Sequence, residues 1–254
     1  MVQKFINICF TLFFIVYGVT VTMFLLIFFA LWGFFKLLHL EKIASFIGLF
    51  SSRLASVLYL AGAFTRVQVK GKENLKNRPK TLCVVSNHQG IADIPLLVYA
   101  LPCRVGFIAK KELFKIPVLH FWLMILKCVP INRKSPRDSI KAIQDGINRI
   151  ISGHPMIIFP EGTRSRSNKQ REFKAGSFKL AYKSKATIIP VTIDGAYQIY
   201  EESKLVAPFK KVVVTIHPLV DTKNMSEEQQ IKLPEILCNQ INNAKRNVQE
   251  ISRD

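Results

Sequence analysis

The chain has 254 residues, enough for one sizeable core with an appendage, and a formal net charge of +19 from 36 Lys and Arg against 17 Asp and Glu. That imbalance calls for an anionic partner: nucleic acid, an anionic membrane surface or an acidic substrate carrier. A content of 49% hydrophobic residues and a positive mean hydropathy argue against a merely soluble basic protein. The five cysteines are widely spaced with no Cys-x-x-Cys, so they form neither a disulfide framework nor a zinc-binding pattern, and a reduced, cytosol-facing domain is expected.

Residues 5–35 carry no formal charge and are dense in Phe, Leu, Ile and Val. As one helix they reach about 46 Å, more than a bilayer core of about 30 Å requires. The run is too long for a signal-peptide core, and no Ala-x-Ala-like site follows it. A membrane-embedded segment is expected, with Gly18 and Gly33 leaving a re-entrant hairpin open beside a spanning helix. In residues 39–62, Ile43, Phe46, Ile47, Phe50, Leu54, Val57 and Leu58 recur at helical spacing, interrupted by Glu41, Lys42 and Arg53. This is an amphipathic helix, either lying at a membrane interface or packed on a core. Positive charge lies mainly after residue 35, which places the remainder on the cytoplasmic side.

From there strand and helix patterns alternate. Strands are expected at 66–70, 81–85, 104–109, 129–132, 156–159, 187–193 and 212–217. Helices are expected at 94–101, 113–126, 139–152 (with Ser135 or Asp138 as cap), 173–184 and, as one or two pieces, 226–251. The pattern predicts an α/β fold: a mixed, largely buried sheet flanked by helices, preceded by an N-terminal helical membrane-docking segment. Residues 1–62 form that segment and residues 63–254 the catalytic domain.

Two short segments carry chemistry. Asn87-His88-Gln89-Gly90-Ile91-Ala92-Asp93 follows a strand and precedes a helix. A neutral imidazole takes a proton from an alcohol near neutral pH, and a carboxylate on its other nitrogen fixes tautomer and direction. His88 is thus a candidate base and Asp93 its orienter, although such a pair alone also reads as a loop histidine and a helix cap. Phe159-Pro160-Glu161-Gly162-Thr163-Arg164-Ser165 follows another strand. The Gly162 N–H is a candidate oxyanion donor and Arg164 a bidentate phosphate ligand, although Glu-Gly-Thr-Arg alone also reads as an exposed basic turn. Arg166, Lys169, Arg171 and Lys174 keep the region positive. Gly-x-Ser-x-Gly is absent, so His88 is expected to act directly on a substrate hydroxyl.

Together the segments, in this order and about 70 residues apart, resemble the first and third of four blocks that mark the glycerolipid acyltransferase family, specifically its 1-acylglycerol-3-phosphate acyltransferases. Lys127-Cys128-Val129-Pro130-Ile131-Asn132-Arg133 is similar to the second block and Ile189-Pro190-Val191 to the short fourth one. Gly90 stands where many bacterial members have Ser, and Lys127 where the second block usually begins with Gly. The resemblance implies acyl transfer from acyl-CoA or acyl-acyl-carrier protein to the sn-2 hydroxyl of lysophosphatidic acid. It further implies substrate-binding roles for Lys110, Arg133, Glu161, Gly162, Thr163 and Arg164, with Glu161 either ordering the turn or touching the glycerol. No metal or redox cofactor is implied. The implied setting is a phospholipid membrane, the bacterial inner membrane, with the catalytic domain facing the cytoplasm. Other acceptors, such as glycerol-3-phosphate or another lysophospholipid, are the nearest alternatives. A membrane-tethered nucleic-acid-binding protein is disfavoured because no helix-turn-helix, RNP-type or zinc-finger pattern is present.

Overall fold

The uncharged run folds as one uninterrupted helix, α1 (Val2–Leu37), in the computed structural model, which describes residues 2–132 and 134–251. Its 36 residues make about 54 Å of helix. The hairpin alternative is thereby corrected: neither Gly18 nor Gly33 breaks the helix, because each keeps helical backbone. The reversal comes later, at His39, whose φ is +56°. Helix α2 (Glu41–Gly62) then folds back along α1.

The buried face of α2 is its small-residue face: Ala44, Gly48, Ser51, Ser52, Ala55 and Ser56. Small side chains let helix backbones approach closely. The serine hydroxyls are satisfied within the helix, Ser52 donating to the Leu49 carbonyl and Ser56 to that of Ser52. Much of the large apolar stripe points outward instead, with Ile43, Phe46, Phe50 and Val57 exposed beside Leu12, Val16, Met23 and Ile27 of α1. By length and composition both helices are able to cross a membrane. The N-terminal half of α1 touches the remainder of the protein where Thr11 Oγ1 accepts the Val206 N–H at 2.9 Å. The C-terminal half does so where Phe29 meets Trp122 edge-on, with ring centroids 4.7 Å apart.

Short apolar, β-branched runs form β1 (Arg66–Lys70), β2 (Leu82–Ser86), β3 (Gly106–Lys110), β4 (Val129–Ile131), β5 (Met156–Ile158), β6 (Thr187–Asp194) and β7 (Lys211–Ile216). They make one sheet in the order β1-β7-β6-β2-β5-β3-β4, mixed because β6 and β7 pair antiparallel while the other neighbours pair parallel. Strands β6, β2, β5, β3 and β4 therefore end at one edge. The chain runs outward from β2 to β3 and β4, returns to β5 beside β2, and then crosses to β6 on the other side of β2. Such a reversal opens a crevice at the strands' carboxyl ends, where open α/β sheets bind ligands.

Both faces of the sheet are covered, so β2 and β6 are buried along their whole length. Val84, Leu97, Ile157, Ile189 and Val212 build the core on one face, with α3 (Asp93–Ala100) and α4 (Pro117–Ile125). Cys83, Val85, Ile150, Met156, Phe178 and Leu237 build the other, with α5 (Pro136–Ile151), α6 (Lys179–Lys183) and α7 (Glu227–Ile251). Ser135 caps α5 by accepting the Asp138 N–H at 3.2 Å. The helix expected at 173–184 shrinks to a 3₁₀ turn at Ala175–Phe178 and the short α6. Gly176 and Ser177 are weak helix formers, and Lys174 is tied to the Pro160 carbonyl at 3.0 Å.

His154 links α5 to β5 and donates from Nε2 to the Leu126 carbonyl at 2.9 Å. Burial, together with Arg104, Lys127 and Arg149 nearby, pushes the imidazole down from its ordinary 6.5 to about 4. The unfolded chain then binds a proton that the folded chain refuses, so this stabilisation is complete above pH 6.5 and is lost as pH falls to about 4. The full loss is about 3 kcal/mol. His154→Gln keeps a donor for Leu126 and removes the titration. Its melting temperature should fall less steeply than that of the wild type between these pH values, and parallel curves in detergent would refute the assignment. His217, also held low by burial, contributes to both proteins alike.

Candidate active site

The first segment leaves β2 under tight control. The Asn87 side chain donates to the Ile193 carbonyl and accepts the Ile193 N–H, both at 2.8 Å, locking the strand exit to β6. His88 Nδ1 then lies 2.7 Å from Asp93 Oδ2, and the Gly90 N–H donates to the same oxygen at 2.9 Å. Asp93 is fully buried as the first residue of α3. The capping alternative is not realised: Ala92 holds the cap position without a side-chain bond, and the Asp93 carboxylate turns back into the loop. Burial pushes the Asp93 carboxyl above its ordinary range, while the His88 bond and the Gly90 and Gln89 amides pull it down. Phe159 stacks on the imidazole with centroids 4.0 Å apart and planes 17° apart. Held at one edge and on one face, the ring donates its Nδ1–H to the Asp93 carboxylate and keeps the lone pair on Nε2. The His88 side chain is 19% exposed, so that nitrogen is reachable.

The second segment is bonded directly to the first. Glu161, 2% exposed, accepts the His88 N–H on Oε1 at 2.6 Å and the Arg171 N–H on Oε2 at 3.0 Å. The Ser165 N–H donates to the His88 carbonyl at 2.7 Å and the Arg166 N–H to the Gln89 carbonyl at 3.1 Å. Burial raises the Glu161 carboxyl, and the two amides that it accepts lower it. Of the two roles left open for Glu161, these bonds are those of turn ordering. Gly162 sits at φ +73° and donates its N–H to the Phe159 carbonyl at 3.0 Å. The expectation that this N–H faces an oxyanion is corrected, because it closes the turn. A side chain at this position would also be strained, a Cβ falling 3.2 Å from Lys174 Nζ.

Arg164 donates from Nη1 to Glu201 Oε1 at 2.7 Å. Thr163 is exposed on the same turn. Lys110 ends β3 at the same edge of the sheet, with its exposed ammonium 3.8 Å from Glu112. Arg133 lies outside the described residues. The structure thus brings together His88, Asp93, Glu161, Gly162 and Arg164. Reasoning from sequence missed the clamp by Asn87, the stack by Phe159 and the partner Glu201. The first two lay inside quoted segments without a signal of role, and Glu201 lies in a loop with no pattern at all. Among the described residues no three of His, Cys, Asp and Glu converge as a metal site.

Residues 66–194 match the family model described as Acyltransferase. A 1-acyl-sn-glycerol-3-phosphate acyltransferase of Borreliella burgdorferi is 31% identical over 184 residues, covering 72% of this chain and 72% of the relative. The chloroplastic 1-acyl-sn-glycerol-3-phosphate acyltransferase LPAT1 of Arabidopsis thaliana is 32% identical over 136 residues, covering 54% of this chain but only 38% of the relative. The crystal structure of the 1-acyl-sn-glycerophosphate (LPA) acyltransferase PlsC from Thermotoga maritima matches with a TM-score of 0.78 at 30% identity, covering 99% of this chain and 98% of that one.

The double acceptor role of Glu161 is directly testable. Glu161→Gln turns an amide NH₂ toward one of the two N–H donors, of His88 or Arg171, and that donor loses its acceptor. Thermal unfolding in detergent should show a loss of about 1–3 kcal/mol. An unchanged melting temperature would mean that the carboxylate does not join the two segments.

Proposed function

This chain belongs to the acyltransferase family, and from that premise we propose that it acylates the sn-2 hydroxyl of lysophosphatidic acid, using acyl-CoA or acyl-acyl-carrier protein, to make phosphatidic acid for phospholipid synthesis. One observation carries the reading. The imidazole of His88 and the guanidinium of Arg164 belong to a single bonded unit, because Ser165, next to Arg164, donates its N–H to the His88 carbonyl. A base and an anion anchor at fixed spacing suit an acceptor whose hydroxyl and phosphate lie a few bonds apart.

His88 Nε2 takes the proton of the sn-2 hydroxyl as the oxygen attacks the thioester carbonyl. Asp93 stabilises the imidazolium that forms. The tetrahedral oxyanion meets turn amides other than that of Gly162, those of Thr163 and Arg164 beside it. The C–S bond then breaks, and the thiolate leaves with the proton from His88. No acyl-enzyme forms. Arg164 holds the phosphate, joined by Lys110 on the same edge and by Arg133. The thioester is already activated and the transfer is redox-neutral, so the reaction calls for no metal or redox cofactor.

Helices α1 and α2 dock this domain on a phospholipid membrane, the bacterial inner membrane, with the catalytic domain on the cytoplasmic side. Their exposed Phe, Leu, Ile, Val and Met side chains support this. Because α1 touches the domain near both Thr11 and Phe29, it lies along the domain rather than projecting from it. A lipid acceptor then reaches His88 without crossing water.

Purified protein in detergent should acylate lysophosphatidic acid in preference to glycerol-3-phosphate or lysophosphatidylcholine; turnover of another acceptor alone would sink the specific reading. His88→Ala should lower kcat by about 10²–10⁴-fold with little change in acceptor KM. Arg164→Ala should chiefly raise that KM, by about 1.5–3 kcal/mol of lost charged hydrogen bonding. An active His88→Ala enzyme would remove the base.

A further inference from the structure

Glu201 belongs to no recognised block, yet it reaches both functional segments. It follows the 3₁₀ turn at Ala196–Ile199 that leaves β6, and its side chain is only 3% exposed. Oε1 accepts from Arg164 Nη1 at 2.7 Å and from the Ile91 N–H, inside the His88–Asp93 loop, at 3.3 Å. Oε2 faces Lys204 Nζ at 3.5 Å and Arg166 Nε at 3.8 Å. The Glu201 stem packs directly on residue 90: a Cβ on Gly90 would fall 2.9 Å from Glu201 Cγ and would push that methylene aside.

We infer that Glu201 is the positioning residue for the phosphate anchor, and that with Gly90 it sets the spacing between His88 and Arg164 and selects acceptors bearing a phosphate monoester. The inference rests on the acceptor reading above. A guanidinium on a long, rotamer-rich stem binds an anion better when its direction is fixed beforehand. Glu201 uses one donor of Arg164 at 2.7 Å and leaves the remainder of the fork on a side chain that is still 32% exposed. Charge argues the same way. One carboxylate faces Arg164, Arg166 and Lys204, so the cluster keeps two formal positive charges. A purely structural pair would be balanced, whereas this excess matches a phosphate monoester dianion. A diester headgroup carries half that charge.

The test is a double-mutant cycle on the full chain in detergent, with separate KM values for lysophosphatidic acid and for the acyl donor. Glu201→Ala should raise the acceptor KM about tenfold, leave the donor KM unchanged and lower kcat by less than about threefold. Glu201→Gln keeps an acceptor oxygen for Arg164 and Ile91 and should bring the acceptor KM back to within about threefold of wild type. In the Arg164→Ala background, Glu201→Ala should add less than about twofold. Gly90→Ala, which pushes on Cγ without removing the carboxylate, should raise the acceptor KM as Glu201→Ala does, and it decides the matter if Glu201→Ala does not fold. A full effect without Arg164, equal rises in both KM values, or an acceptor KM unchanged or lowered in Glu201→Ala or Gly90→Ala would overturn the inference. If the wild type acylates only glycerol-3-phosphate, the lysophosphatidic acid reading fails while the same cycle on that monoester still decides the role of Glu201. Turnover of phosphate-free acceptors alone overturns both.

Discussion

Two irregular loops meet at one edge of the sheet, and the backbone polar groups along their seam must find partners. Glu161 meets that constraint. One oxygen takes the His88 N–H and the other the Arg171 N–H, so a single side chain joins the loop after β2 to the strap that follows β5. The bonds from Ser165 and Arg166 to the His88 and Gln89 carbonyls complete the seam. Without it the base and the guanidinium would sit on independent loops, and their separation would not be defined. The cost of burying the Glu161 carboxylate, visible as its raised proton affinity, is offset by the two charge-assisted bonds that it accepts.

Asp93 is placed by the same logic, with a chemical consequence. Burial disfavours its charge more strongly than its partners restore it, so its carboxyl stands above the ordinary range. A carboxylate poorly solvated by water gains more from a neighbouring imidazolium than an exposed one does. In the proposed reaction, the destabilisation built into the resting Asp93 carboxylate is relieved as His88 takes a proton, the direction that the transfer requires. The stack of Phe159 adds geometric control, since a ring fixed in plane and in tautomer loses little further freedom on reaching the transition state.

Much of this was legible in the chain. The strands β2 and β6 announce themselves because they are buried on both faces and so read as continuous apolar runs. Helix α5 announces its start through Ser135, and α1 through its uncharged length. The pairing of His88 with Asp93 is local, five residues apart, and local geometry is what spacing encodes. The errors share a cause in tertiary context. The Gly162 N–H reads as an outward-facing donor because nothing in the sequence shows that it closes onto Phe159. The inward side of α2 was hidden because helix–helix contact here selects small residues, leaving much of the large apolar stripe for the outside. Glu201 was invisible because its partners lie 37 and 110 residues away, at Arg164 and Ile91.

The two apolar helices and the His88–Asp93 pair are structurally continuous. Helix α2 packs against α3, and Arg53 of α2 donates from Nη2 to the carbonyl of Leu101, just past the end of α3, at 2.7 Å. The other end of α3 is Asp93. An eight-residue helix thus has one end fixed to the apolar hairpin and the other to the His88 imidazole. Helices this short derive little stability from their own hydrogen bonds and take their orientation from what holds their ends. In the proposed reaction, the orientation of the hairpin therefore also bears on the direction from which the acceptor meets His88. The uncharged N-terminal run, which in the sequence stands apart from both loop segments, is in the fold connected through two helices, α2 and α3, to the Asp93 carboxylate.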